Sequence, residues 1–179
     1  MQRRMTIKNE AIEVLMNRRS IRKFKPEQIS DADLKVILDA GTMGPTARGL
    51  QRPFIVAVQD KATRDAVAAL NAKMGNMQGD PYYGAPTIIL VLAPDDQFGP
   101  LDAAALETNM LNAAYACGLG SCWIHRPREM FDTEEGKAML RAWGLDENLC
   151  GVCSIALGYA DCEHPAPKPR KADYYKIIK

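Results

Sequence analysis

Arg18, Arg19 and Arg22, with Ser20 among them, place three guanidiniums and a hydroxyl within five residues, the densest cluster of donors in the chain. A guanidinium presents a planar fork that matches phosphate oxygens, so such a cluster suits a phosphate. It is also what a solvated helix end looks like, because cations favour the C-terminal dipole. Lys168-Pro169-Arg170-Lys171 forms a second donor cluster, on the proline-rich connector His164-Pro-Ala-Pro-Lys-Pro-Arg170. That connector reads as a stiff polyproline-like segment, and its charges, taken alone, as ordinary surface. Pro45-Thr46-Ala47-Arg48-Gly49-Leu50-Gln51 offers a hydroxyl, a guanidinium, an amide and a glycine that lets backbone approach a ligand closely. Loops of this composition divide between plain surface and function.

Other segments exclude more than they suggest. Gly118-Leu-Gly-Ser-Cys-Trp123 is not a dinucleotide fingerprint, because Trp123 stands where the third glycine belongs. It is not a nucleophile elbow either, since Leu119 stands where a glycine is required before Ser121. Cys150-Gly-Val-Cys153, followed by Cys162 and His164, invites a zinc reading. Residues three apart on a strand point to opposite faces, so Cys150 and Cys153 are expected as small core residues and no metal site is expected. His125 and His164 have no evident Ser/Asp partner, which leaves a hydrolytic triad unsupported.

The elements that position these residues follow from periodicity. The spacing predicts a helix over 10–18 with Ala11, Ile12, Leu15 and Met16 on one face. A second helix is capped by Ser30, with Asp33 at the capping-box position, Leu34, Ile37 and Leu38 as its buried stripe and Gly41 as its stop. Residues 54–58 read as a buried strand and 61–77 as a helix with Ala66, Leu70, Met74 and Met77 at core spacing. A strand over 87–93 follows the break at Tyr82-Tyr-Gly-Ala-Pro86. Residues 101–117 are the most apolar helix, apolar nearly all round and so buried on most sides or against another subunit, and Gly118 ends it. Strands over 119–124 and 149–159 flank a helix over 133–143 capped by Thr133 and closed by Gly144. Helices interleave with roughly four strands, which gives an α/β or α+β class.

Composition bounds the partners. A chain of 179 residues, 47% hydrophobic and 25% charged, is expected to form a single domain over 1–179. Its net charge of +1 argues against a nucleic-acid binder. That total hides a split: residues 1–25 hold eight Lys/Arg against Glu10 and Glu13, and residues 164–179 hold five against Asp173. The stretch between is net acidic by nine. The longest apolar run, Ile88 to Ala93, is too short for a membrane span. Positive charge without an apolar stretch at the N-terminus argues against a secretory signal, so a cytoplasmic location with five free thiols is expected.

Arg18-Arg-Ser-Ile-Arg22, Pro45-Thr-Ala-Arg-Gly-Leu-Gln51, Gly118-Leu-Gly-Ser-Cys-Trp-Ile124, Leu157-Gly-Tyr159 and Lys168-Pro-Arg170 together resemble the FMN-dependent nitroreductase family, in the family's order and over nearly the whole chain. The resemblance implies an α+β fold: a three-layer sandwich whose mostly antiparallel sheet has about four to five strands. It implies a homodimer with FMN at each subunit interface. Arg18, Arg19, Ser20 and Arg22 would then reach the phosphate, the ribityl chain and the pyrimidine edge, and Lys168 and Arg170 would close on the phosphate. Pro45, Thr46, Ala47, Arg48, Gly49 and Gln51 would come from the other subunit, with Gln51 near the isoalloxazine. Trp123, Ile124, His125 and Arg126 would run beside the flavin, and the helix over 101–117 would be the buried dimer helix. The sequence departs from the family at Gly49, where Asn is common, and at Arg52-Pro53, which no Trp follows. The segment between Met74 and Pro86 is short, which would leave the flavin face open.

The chemistry so implied is hydride transfer from NADH or NADPH to flavin N5 and on to a small electron-poor acceptor, in two half-reactions with no side chain as a classical acid or base. Positive charge from Arg22 would favour the reduced cofactor. The rival reading is a flavin-binding carrier or sensor without turnover.

Overall fold

One strand with apolar residues on both faces decides the layering. In the computed structural model, which describes residues 9–179, β2 (Thr87–Pro94) is fully buried from Ile88 to Ala93. Ile88, Leu90 and Leu92 enter one core, and Ile89, Val91 and Ala93 the other. Both faces therefore need cover. The sheet runs β1 (Phe54–Val58), β2, β4 (Leu149–Gly158), β3 (Gly120–Ile124), antiparallel throughout. α3 (Lys61–Met74), α5 (Pro127–Phe131) and α6 (Glu134–Ala142) cover one face; α2 (Asp31–Thr42) and α4 (Gly99–Ala116) cover the other. α1 (Glu10–Asn17) lies against α4. The result is the expected three-layer α+β sandwich with four strands. The basic residues at 1–8 lie outside the described residues.

Caps fall where the side chains dictate. Ser30 Oγ accepts the Asp33 N–H at 3.0 Å, and Thr133 Oγ1 accepts that of Gly136 at 3.1 Å. Gly118 and Gly144 take the left-handed backbone that ends their helices. Several expectations change. α3 stops at Met74, and its buried stripe is Val67, Leu70 and Asn71 while Ala66 and Met77 are exposed. β1 is an edge strand with Phe54 exposed rather than a fully buried one. The short α5 was not legible, because it begins at Pro127 directly after a left-handed Arg126.

Strict alternation also fails for the cysteines. The β2/β4 register passes from Val91 opposite Cys153 to Leu92 opposite Gly151, so β4 carries an extra residue there. Cys150 then lies opposite Ala93 and Cys153 opposite Val91, so the register no longer sets the two cysteines on opposite faces as strict alternation would. Both are buried, as expected of core residues.

Gly41 does not end α2. The helix continues to Thr42, and Gly41 is buried against Met110 of α4. It begins a strap that runs antiparallel along α4. A methyl built on Gly44 would sit 2.8 Å from Leu106 Cδ1 and 3.0 Å from Leu106 Cα. Further on, the Ala47 N–H donates to Asp102 Oδ1 at 2.9 Å, and Arg52 forms an ion pair with Asp96 just before α4 begins. Met110, Leu106 and Asp102 are one helical turn apart, so a single face of α4 carries the strap. Because α4 backbone closes on Gly44, Gly44→Ala is expected to destabilise the protein by about 1–3 kcal/mol, read as a lower urea midpoint with unchanged slope.

Candidate functional site

Backbone pairing explains how the two basic clusters meet. Past α1, Ser20 forms a parallel bridge with Ser121, and the Ile21 N–H donates to the Ser121 carbonyl at 2.9 Å. Phe24 bridges Ala160, the Lys25 N–H donates to the Tyr159 carbonyl, and the Asp161 N–H donates to the Lys23 carbonyl, the last two at 2.9 Å. Ile21 and Phe24 anchor the stretch by entering the core on the α3 side. Residues 20–25 are thus stitched to the start of β3 and the exit of β4, and the connector after β4 returns past Arg18–Arg22. A cavity of about 350 Å³ results, lined by Arg18, Arg19, Ser20, Arg22, Lys168 and Arg170, with Pro165 and Ala166 as walls.

Its electrostatics are one-sided. Among the described residues no acidic side chain pairs with any of these five cations. Burial holds Arg18 below the usual arginine value, and Arg19 and Arg170 depress it further. Arg19 donates from Nη1 to the carbonyls of Met16 at 2.9 Å and Arg18 at 2.7 Å, while its buried Nε has no partner among the described residues. Mutually repelling forks around an orphaned donor fit a phosphate, which offers several oxygens and up to two negative charges.

The loop over 45–51 lies elsewhere. Thr46 and Gln51 line a second cavity of about 340 Å³ with Thr42, Phe54, Ile55 and Leu106. Arg48, Gly49 and Gln51 take left-handed backbone at φ 57, 66 and 52°, and the Gln51 N–H donates to Thr46 Oγ1 at 3.1 Å. Left-handed Arg and Gln each cost on the order of 1–2 kcal/mol, so the surroundings must hold this shape. Asn also tolerates φ 66°, so Gly49 keeps a backbone that Asn could adopt. Pro45 and Arg48 are exposed and Ala47 is half-buried. Within one chain, then, the structure gathers the two basic ends and leaves this loop apart.

The end of β3 is held by a buried polar network. Asn71 of α3 donates through Nδ2 to the His125 carbonyl at 2.8 Å, and its Oδ1 accepts from Arg126 Nε at 3.1 Å. Ser154 Oγ donates to the Ile124 carbonyl at 3.0 Å and lies 3.1 Å from the Tyr82 hydroxyl, whose pKa burial pushes up to about 12. Arg126 turns toward α3 and Met77, while the His125 ring is exposed 6.2 Å from that of Trp123. Trp123 is half-buried toward α4 with a buried Nε1 that has no partner among the described residues, and Ile124 fills the opposite core. What residues 123–126 can offer a ligand is a rigid strand end. Asn71, Asp102 and Glu107 were not singled out by sequence. The available signal was a polar residue inside an apolar stripe, strongest for two acids in the most apolar helix.

The sequence model of the Nitroreductase family matches residues 15–159. A provisionally named NADH dehydrogenase/NAD(P)H nitroreductase of Archaeoglobus fulgidus is 31% identical, over 93% of this chain and 90% of that protein. The NADPH-flavin oxidoreductase of Vibrio harveyi is 28% identical, over 90% of this chain and 70% of its own length. A nitroreductase from Bacteroides fragilis, solved with bound FMN, superimposes with a TM-score of 0.84 at 29% identity, covering 96% of this chain and all of that one. Among the described residues, no helix is long and apolar enough to cross a membrane.

Proposed function

Because the chain belongs to the nitroreductase family, we propose that it is an FMN-dependent oxidoreductase passing hydride from NADH or NADPH to a small electron-poor acceptor. Nitroarenes, quinones, enones and free flavins form the acceptor class, taken in turn with the nicotinamide at one site. The observation that carries the reading is the cradle of unpaired cations. Arg18, Arg19, Arg22, Lys168 and Arg170 would hold the FMN phosphate, with the Ser20 hydroxyl on the phosphate or ribityl chain. When bound, FMN supplies a ring that accepts hydride from one substrate and gives it to the next. Arg22, exposed at the cradle's edge, would add positive charge toward the ring. The strand end over 123–126 would form a fixed wall beside it, and no titrating side chain need carry a proton.

The proposal includes a homodimer in which Pro45, Thr46, Ala47, Arg48, Gly49 and Gln51 reach the partner's flavin. Ile12, Leu15 and Met16 on α1, Leu50 and Phe54 beside the loop, and Leu101 on α4 are all exposed in the single chain, an apolar surface that a second copy would cover.

The decisive experiment is an absorbance spectrum of purified protein before and after anaerobic NADH or NADPH. A yellow protein that bleaches and regains its colour with p-benzoquinone is expected. Protein that stays colourless after incubation with FMN sinks the cofactor. A yellow protein that neither nucleotide bleaches would be a flavin carrier or sensor, and the oxidoreductase reading would fall.

A further inference from the structure

Asp102 stands in the first turn of α4 with only 6% of its surface exposed. Its Oδ1 accepts the Ala47 N–H at 2.9 Å, a bond that spans 55 residues of sequence. Its Oδ2 is buried and meets no donor among the described residues. A buried carboxylate costs more than a neutral acceptor, so it is an odd choice for a plain surface loop. The loop it grips is not plain. Residues 48, 49 and 51 hold left-handed backbone, and the bonds inside the loop are short-range: the Gln51 N–H to Thr46 Oγ1, the Gly49 N–H to the Thr46 carbonyl at 2.9 Å and the Leu50 N–H to the Ala47 carbonyl at 3.2 Å, none of which ties the loop to the rest of the fold. The Asp102 bond enters one residue beyond Thr46, where it fixes the base of the strained segment against a helix.

We propose that Asp102 is a positioning residue: its carboxylate sets the 46–51 loop in the conformation that meets the flavin held by a second copy of the chain. The inference rests on the function proposed above. Asp102 touches neither cofactor nor substrate; it acts through Ala47. The two outer contacts of the strap, Gly44 on Leu106 and Arg52 on Asp96, bracket this bond and leave the loop between them to Asp102 alone among the described hydrogen bonds to α4.

The test uses the full-length holoenzyme with NADPH and p-benzoquinone, together with FMN affinity by fluorescence titration. Asp102→Ala is expected to lower kcat about tenfold to 100-fold, because small misplacements of site groups cost that much. FMN affinity should fall far less than in variants of the cradle, since its cations are untouched. Asp102→Asn keeps an acceptor at Oδ1 and puts its amide where Oδ2 met no donor, so turnover should be restored. Ala47→Pro removes the donor from the other side. Thr46, at φ −127° and ψ 149°, already has the backbone a residue before proline requires. Ala47→Pro should reproduce Asp102→Ala, and the double variant should be no worse than either. Wild-type turnover in Asp102→Ala, additive losses in the double variant, or an Asn variant as impaired as the Ala one would each overturn the proposal. Should Asp102→Ala fail to fold, Ala47→Pro and Asp102→Asn decide it. Wild type that neither binds FMN nor oxidises NADPH would instead bring down the proposed function, and this inference with it.

Discussion

Replacing Arg18 and Arg170 together by alanine is expected to weaken FMN binding by about 100-fold or more, because each charge-assisted hydrogen bond contributes roughly 1.5–3 kcal/mol. Fluorescence titration of the apo-protein reads the loss directly. A second expectation has the opposite sign and separates a binding role from a structural one. Arg18 is held below its usual value by burial, by Arg19 and, to a lesser degree, by Arg170, so the cations of the cradle work against one another. Removing two of its cations should leave the apo-protein melting no lower than wild type, while the FMN-loaded form melts lower than loaded wild type. Arg22→Ala alone should show a smaller loss of affinity or turnover. Unchanged FMN affinity in the double variant would refute the cradle as the phosphate site.

The second large effect concerns Glu107. It is fully buried on α4 against the Cys153 thiol, a weak donor, and among the described residues neither carboxylate oxygen has a hydrogen bond of ordinary geometry. Burial raises its pKa from an ordinary glutamate's 4.5 to about 8. The folded protein therefore binds this proton more tightly than the unfolded chain does. The stability it contributes is fully present below pH 4.5, falls as pH rises and levels off near pH 8. One such group costs about 1.4 kcal/mol per pH unit across that window. Glu107→Met, similar in volume and unable to ionise, should match wild type near pH 5 and exceed it by roughly 2–4 kcal/mol at pH 8. Urea midpoints measured for both proteins across that range give the difference, in which all other titrating groups cancel. A difference that stays flat with pH would show that Glu107 remains ionised in the fold.

Local signals were legible wherever a side chain acts on its own neighbourhood. Ser30 and Thr133 cap their helices and Gly118 and Gly144 close theirs because capping is short-range chemistry. β2 was legible because six consecutive apolar residues can be satisfied only between two layers. The donors at 18–22 and 168–170 could be named as clusters, though only the pairing of residues 20–25 with β3 and β4 shows why they share a cavity. What could not be read was set by a distant partner. Gly41 looks like a stop until Met110 is placed against it. Cys150 looks opposed to Cys153 until the extra residue in β4 shifts the register. Asp102 and Glu107 look like breaks in an apolar helix until the loop and the sheet are laid on its two sides.

The cradle draws on residues 18–22 and on residues 165–170, with every strand of the sheet made between them. On a ribosome, that order has a temporal meaning. All four strands leave the exit tunnel before Lys168 and Arg170 do, so the sandwich can be assembled while its anion site is still half made. Capture of a cofactor by both clusters then has to follow the emergence of all four strands, so a bound ligand cannot assist any strand pairing that happens before Lys168 and Arg170 appear.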